Sequence, residues 1–188
     1  MKLKPIESND LLQLKKWRNQ SDLMSRARGW KKLSSVDQEK WFNSLYGDKH
    51  PENIMFGIFL EVSSKDLFFG NKVEHPHDDG EKIDRLVGVC GLCHIDYINR
   101  SAEISIYIGD KEYQRKGHAL SSLQELKRIA FEEMNLRRLW VEAYTGGPAM
   151  HNLFKKAGYE KEAVLKKTTF KFNDWQDSVF YTLFKEGE

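Results

Sequence analysis

The sequence is poor in cysteine, in proline and in charge of one sign. Its two cysteines, Cys90 and Cys93, exclude a disulfide-built scaffold, because one pair three residues apart closes almost no loop. No run approaches the roughly 18 consecutive apolar residues of a membrane-spanning helix. The opening "MKLKPIESND" has no apolar stretch of the secretory kind, so the expected location is the cytoplasm, away from membranes. Lysine and arginine number 30 against 28 acidic residues, a net charge of +2, which argues against a dedicated nucleic-acid binder with a large basic excess on one face. Internal repeats are absent, and so are the glycine patterns G-x-G-x-x-G and the Walker loop.

What remains is an ordinary globular composition, 40% hydrophobic and 31% charged over 188 residues. That length suits one domain, 1–188, able to bury a core without metal or disulfides. The cysteines sit in "CGLCH", the spacing of c-type haem attachment and of redox pairs. The flanking "RLVGVCGLCHID" alternates like a strand, which sends two thiols three apart to opposite faces and argues against both functions.

The periodicity predicts a helix in "SNDLLQLKKWRN", capped by Ser8, Asn9 or Asp10. A second is expected in "SSVDQEKWFNSLYG", with a capping box from Ser35 to Gln38 and a stop at Gly47. "NIMFGIFLEVS" and "RLVGVCGLCHI" read as strands. Between them, residues 64–84 form a long insertion. Its His75, His77, Asp78 and Asp79 read as a solvated loop and not as a metal site, whereas Leu67, Phe68 and Phe69 suggest a fold-back or a contact surface.

Further on, "SAEISIYIGD" places Ala102, Ile104, Ile106 and Ile108 on one face of a strand and Glu103, Ser105 and Tyr107 on the other. The next helix carries Ala119, Leu120, Leu123, Leu126, Ile129, Ala130 and Met134 at helical spacing. "RRLWVEAY" is a strand, and "PAMHNLFKKAGY" a short helix entered at Pro148 and left at Gly158. Two strands turning at Asn173-Asp174 close the chain. The order predicts an α/β fold, a mixed sheet of six to seven strands flanked by helices and ending in a hairpin.

Between the strand at 101–108 and the long helix lies "EYQRKGHA". The first N–H groups of a helix have no intrahelical partner, and the positive end of the helix dipole stands behind them. Gly117 lets that backbone approach an anion, and Arg115 and Lys116 add positive charge. A plain helix start is the alternative.

"YQRKGHA" resembles the Q/R-x-x-G-x-G/A motif of the GCN5-related N-acetyltransferases, with Gln114, Gly117 and Ala119 on its defining positions. "KKWRNQSDLM", "RSAEISIYIGDKEYQRKGHA", "LFKKAGY" and "KTTFKFNDWQDSVFYTL" are similar, in order, to segments of the RimJ/RimL-type branch. The resemblance implies acetyl-CoA as co-substrate and direct transfer of its acetyl group to a primary amine: a protein N-terminus, an amino sugar or a small metabolite. It further implies cofactor contacts from Ile106, Tyr107 and Ile108, with a strand bulge near them. Gln114, Arg115, Lys116, Gly117, His118 and Ala119 would hold the pyrophosphate, with Phe154 and Lys156 nearby.

Such a reaction needs a base, because an aliphatic ammonium keeps its proton at neutral pH. Glu103 is the candidate; the alternative is a strand carboxylate paired with Arg100 or Arg137. Phe154 stands where the family often has a proton-donating tyrosine, leaving Tyr144 and Tyr159 as possible substitutes, and Gly147 stands where an asparagine is frequent. Trp17, Arg18, Arg26, Arg28 and Trp30 read as core and solvated surface, or else as the acceptor side, where they would favour acidic substrates over polyamines. Two other readings stay open: an acetyl-CoA-binding module without catalysis, in a regulatory or assembly role, and a fold relative that assembles through the "LFF" loop. A homodimer fits any of these.

Overall fold

The computed structural model describes residues 1–26, 29, 31–64, 81–171 and 173–187. Seven strands form one sheet: β1 (Lys2–Pro5), β2 (Ile54–Ser63), β3 (Lys82–Asp96), β4 (Ser101–Ile108), β5 (Arg138–Tyr144), β6 (Glu160–Lys171) and β7 (Asp174–Phe184). The spatial order is β1-β2-β3-β4-β5-β7-β6. Every neighbouring pair is antiparallel except β4 with β5, which is parallel. The helices are α1 (Leu11–Arg18), α2 (Ser21–Arg26), α3 (Ser35–Asn43), α4 (His118–Arg128) and α5 (Pro148–Lys156). This is the expected mixed sheet with its closing hairpin.

Alternation along the strands splits the core between two faces. On one face Leu123, Leu126, Ala130 and Phe131, from α4 and the turn after it, and Phe154 of α5 pack on Cys90, Leu92, Ala102, Ile104, Val141 and Tyr181. On the other, Leu14 and Trp17 of α1, with Trp41 and Phe42 of α3, pack on Val89, Met55 and Tyr107. Cys90 belongs to the first face, and Cys93 lies beside Met55 of the second, Sγ to Sδ 3.8 Å. The two thiols are therefore on opposite faces of the sheet, and they form no disulfide with one another.

Local details differ from the sequence reading. The first helix begins as a 3-10 turn at Ser8–Asp10, where the Asp10 carboxylate accepts the Glu7 N–H at 2.9 Å. The capping box of α3 is one residue earlier than expected. The Ser34 hydroxyl accepts the Asp37 N–H at 3.1 Å, and the Asp37 carboxylate accepts the Ser34 N–H at 2.8 Å. Asp37 displaces the expected Gln38, which is buried instead. Beyond Asn43 the chain keeps turning, with Leu45 and Tyr46 bonded to Phe42 and Asn43, before Gly47 reverses it at φ +92°. The long helix ends in a π turn, Ile129–Glu133, which keeps both Ala130 and Phe131 buried.

Of the 64–84 insertion, residues 65–80 lie outside the described residues, and with them Leu67, Phe68, Phe69, His75, His77, Asp78 and Asp79. Arg28, Trp30 and the side chain of Arg26 lie outside them too, whereas Trp17 is buried core. Among the described residues no helix is long and apolar enough to cross a membrane, and no group of three or more His, Cys, Asp or Glu is placed to hold a metal.

Candidate active site

Strands β4 and β5 pair over only three positions, Ser101 with Arg138, Ala102 with Leu139 and Glu103 with Trp140. Beyond Glu103 they part, and a cleft opens between the remainder of β4 and β5. The backbone groups that face it follow from the β3–β4 ladder. Ile108 stands opposite Gly88, yet it is the Gly109 N–H that bonds the Val87 carbonyl, at 2.9 Å. Ile108 and Gly88 are thus a non-hydrogen-bonded pair, and the N–H and C=O of Ile104, Ile106 and Ile108 point away from β3, toward the cleft.

This geometry bears on two expectations. The register of β4 with β3 is unbroken from Glu103 to Ile108, which puts the bulge expected near Ile106 to Ile108 at the far end of that stretch. It falls just after them, where the N–H groups of Gly109 and Asp110 converge on the same Val87 carbonyl. A side chain at Gly109 would meet the Trp17 ring at 2.1 Å, which is why the irregularity settles at a glycine. Tyr107 also parts company with its neighbours: its backbone bonds toward β3 and its ring packs in the α1 cluster.

The turn that follows is braced from within. Asp110 caps a 3-10 turn through the Glu112 N–H at 3.1 Å and holds the Arg85 guanidinium at 2.8 Å. Arg85 and Lys116 lie over the Tyr113 ring at 5.2 and 5.3 Å. The Gln114 side-chain amide donates to the Ile108 carbonyl at 2.9 Å, tying the end of β4 to the turn. Arg115 and Gly117 both take left-handed backbone angles, φ +61° and +89°. The first bond of the α4 ladder runs from the Ser121 N–H to the Gly117 carbonyl at 3.1 Å, so the N–H groups of His118, Ala119 and Leu120 precede it.

Apart from its chain neighbours, no protein atom lies within 4 Å of where a Cβ on Gly117 would stand, so the turn is uncrowded at the start of α4. The surroundings are positive: burial, the N-terminal ammonium and Lys116 together hold the His118 imidazole below its ordinary pKa. A diphosphate fits this cradle by charge, by hydrogen-bond donors and by room.

The other site candidates are more scattered. Glu103 is buried at the foot of the cleft, on the face of α1, and its Oε2 lies 2.8 Å from Nδ1 of His94. Phe154 is fully buried, its ring 5.7 Å from that of Tyr159 and 6.0 Å from that of Tyr181. Lys156 is exposed at the end of α5. Tyr159 is buried with its hydroxyl unpartnered, and burial drives its pKa up. Tyr144 ends β5 with Lys171 over its ring at 5.5 Å. Gly147 caps α5, and Asn152 is exposed. The structure thus gathers Ile106, Ile108 and the turn from Gln114 to Ala119, and sets Tyr159 and Phe154 in the core behind them.

Two histidines escaped the sequence reading of the site. His94 is the last residue of "CGLCH", a motif set aside for its cysteines. His151 donates from Nε2 to the Tyr144 carbonyl at 3.1 Å, which leaves Nδ1 to accept the Tyr181 hydroxyl at 3.0 Å. No local pattern signals that pair, since Tyr181 comes from the closing hairpin.

Comparison with known proteins places the fold in a family. The family profile described as "Acetyltransferase (GNAT) domain" matches residues 1–160. The chain is 29% identical over 135 residues to "Uncharacterized N-acetyltransferase YnaD" of Bacillus subtilis (strain 168), covering 69% of this chain and 77% of that protein. It is 24% identical to the spermidine N(1)-acetyltransferase of Escherichia coli (strain K12), covering 98% and 86%. The crystal structure of spermidine N-acetyltransferase from Vibrio cholerae in complex with CoA and spermine shares the fold, with TM-score 0.75 at 23% identity over 97% of this chain and 94% of that one. The chain belongs to the GNAT family of acetyltransferases, enzymes that carry an acetyl group from acetyl-CoA to a primary amine.

Proposed function

We propose that the parted strands β4 and β5, with the α4 turn at their mouth, form the acetyl-transfer site, and that its acceptor is a cationic primary amine. The observation that carries this reading is the backbone left facing the cleft at Ile106 and Ile108, in line with the open N–H groups of His118, Ala119 and Leu120. In this reading the turn from Gln114 to Ala119 holds the pyrophosphate of acetyl-CoA. The pantetheine arm pairs with β4 as an added strand, and Lys156 supplies charge near the phosphates. An N–H of Ile106 or Ile108 steadies the oxyanion of the tetrahedral intermediate.

Glu103 takes a proton from the acceptor ammonium. The neutral nitrogen attacks the thioester carbon, the C–S bond breaks, and the thiolate leaves. A thiol with a pKa near 8.5 departs without strong help, which fits a phenylalanine at position 154 and leaves Tyr144 and Tyr159 as secondary candidates for proton donation.

The acceptor class follows from charge on the α1 face. Glu103 aligns with Trp140 across β4 and β5, so Glu142, two residues on, shares that face and presents a second carboxylate, which also accepts the Ser178 hydroxyl. Two carboxylates favour an amine that arrives protonated, as a polyamine or a peptide N-terminus does. Among the relatives are spermidine N(1)-acetyltransferases and a ribosomal-protein-serine acetyltransferase of Escherichia coli. The proposal includes one catalytic domain that works in the cytoplasm, as a monomer or homodimer, without nucleic acid.

The test is a panel of spermidine, a short peptide with a free N-terminus and an amino sugar, each assayed with acetyl-CoA by thiol release. Glu103→Gln should lower turnover on the best amine by about 10²-fold or more while leaving acetyl-CoA affinity within a few-fold. Full turnover in that variant removes Glu103 as the base. A clear preference for the neutral or acidic members of the panel overturns the acceptor class.

A further inference from the structure

Acetylation of an ammonium by a thioester releases one proton for each turnover. The nitrogen loses two protons, one returns with the leaving thiolate as thiol, and the other must reach water. In the reading above that proton lands on Glu103, whose side chain is only 9% exposed. Its way out needs a second group that touches both the carboxylate and solvent.

His94 is such a group. Its Nδ1 lies 2.8 Å from Glu103 Oε2, and its side chain is 61% exposed. The backbone is bent to place it there. His94 takes φ +49°, and the β3–β4 register shifts between Cys93 and Asp96. The His94 N–H, turned out of the ladder, is received by the Asn53 side chain at 3.3 Å. A left-handed non-glycine residue at a strand irregularity is strained, and it re-aims a side chain. Here that side chain is an imidazole, able to donate or accept at either ring nitrogen, set on a buried carboxylate.

We propose that His94 carries the proton of Glu103 to solvent and resets the base between turnovers; this rests on Glu103 being the base. In the resting pair the carboxylate accepts a hydrogen bond from Nδ1–H. Once Glu103 is protonated, the ring serves as acceptor in its other tautomer, with Nε2–H, reached by exchange with water. Nδ1 takes the proton from the carboxylic acid, Nε2 gives one to water, and the pair returns to carboxylate and Nδ1–H. No atom is gained or lost beyond the proton that the reaction releases.

His94→Asn separates the relay from a merely structural role. Asparagine tolerates the left-handed backbone and still offers an N–H to Glu103, but it cannot pass a proton on. Measured in dilute buffer with the fastest amine of the panel, kcat should fall at least about tenfold with the KM for acetyl-CoA unchanged. Added imidazole should restore it in a saturable way by carrying the proton in solution, and should leave Glu103→Gln inactive. Undiminished kcat in His94→Asn, or a loss that imidazole does not repair, overturns the relay while leaving Glu103 in place. Full activity in Glu103→Gln overturns the base and the relay together.

Discussion

At the scale of single residues, Gly117 carries the sharpest distinction between folding and binding. Its φ of +89° strains any other residue by about 1–2 kcal/mol, yet a Cβ there meets no protein atom. Gly117→Ala should therefore melt only a few degrees lower while losing at least about tenfold in acetyl-CoA affinity, a pairing that calorimetry and melting read separately. His118 reports on the same cradle. Its imidazole titrates below the ordinary value because burial, the N-terminal ammonium and Lys116 disfavour the charged form. Phosphates placed before the helix favour the imidazolium, so the pKa should rise when CoA binds. Binding then takes up a proton in the window between the two values, and affinity should increase as pH falls through it. An NMR titration of His118 with and without CoA checks the sign; a pKa that stays put would place the phosphates elsewhere.

At the scale of elements, the strands and the two long amphipathic stretches were legible because alternation and helical spacing are local properties. The helix at 118–134 was visible as one periodic run, and its π turn at Ile129–Glu133 was not, since one extra residue in a turn hardly disturbs an apolar stripe. β1 went unread. "KLKP" is too short for its alternation to stand out, with Leu3 alone reaching the core, and it becomes a strand by pairing with Phe56 to Phe59 of β2. The cap of α3 was misplaced by one residue because "SSVDQ" offers two serines and two possible partners. Geometry chooses Ser34 with Asp37, so Ser34→Ala should cost about 1 kcal/mol in denaturant unfolding and Ser35→Ala much less. The turn from Gln114 to Ala119 stands out in the sequence as a stretch, through its glycine and cations. The partners that brace it from elsewhere, Arg85 above all, lie 25 or more residues away from the groups they hold, and only the fold brings them in.

At the scale of the whole molecule, the three paired positions between β4 and β5 acquire a mechanical meaning. The sheet is two ribbons, β1–β4 and β5–β7, each laced along much of its strands' length, with a seam that is stitched at one end only. The two ribbons share one core beneath this seam, but the amides along its unstitched edge have no strand partner among the described residues and should exchange with solvent sooner than those inside either ribbon. A pantetheine arm that pairs with Ile106 and Ile108 closes the seam with hydrogen bonds the polypeptide itself does not supply. Hydrogen exchange should therefore slow at Ile104–Ile108 when CoA is added, while the interiors of both ribbons change little; uniform slowing throughout would mean a sheet already rigid across its middle. In the proposed binding mode the co-substrate is thus also a structural member, an eighth strand lent to the sheet for the length of one turnover.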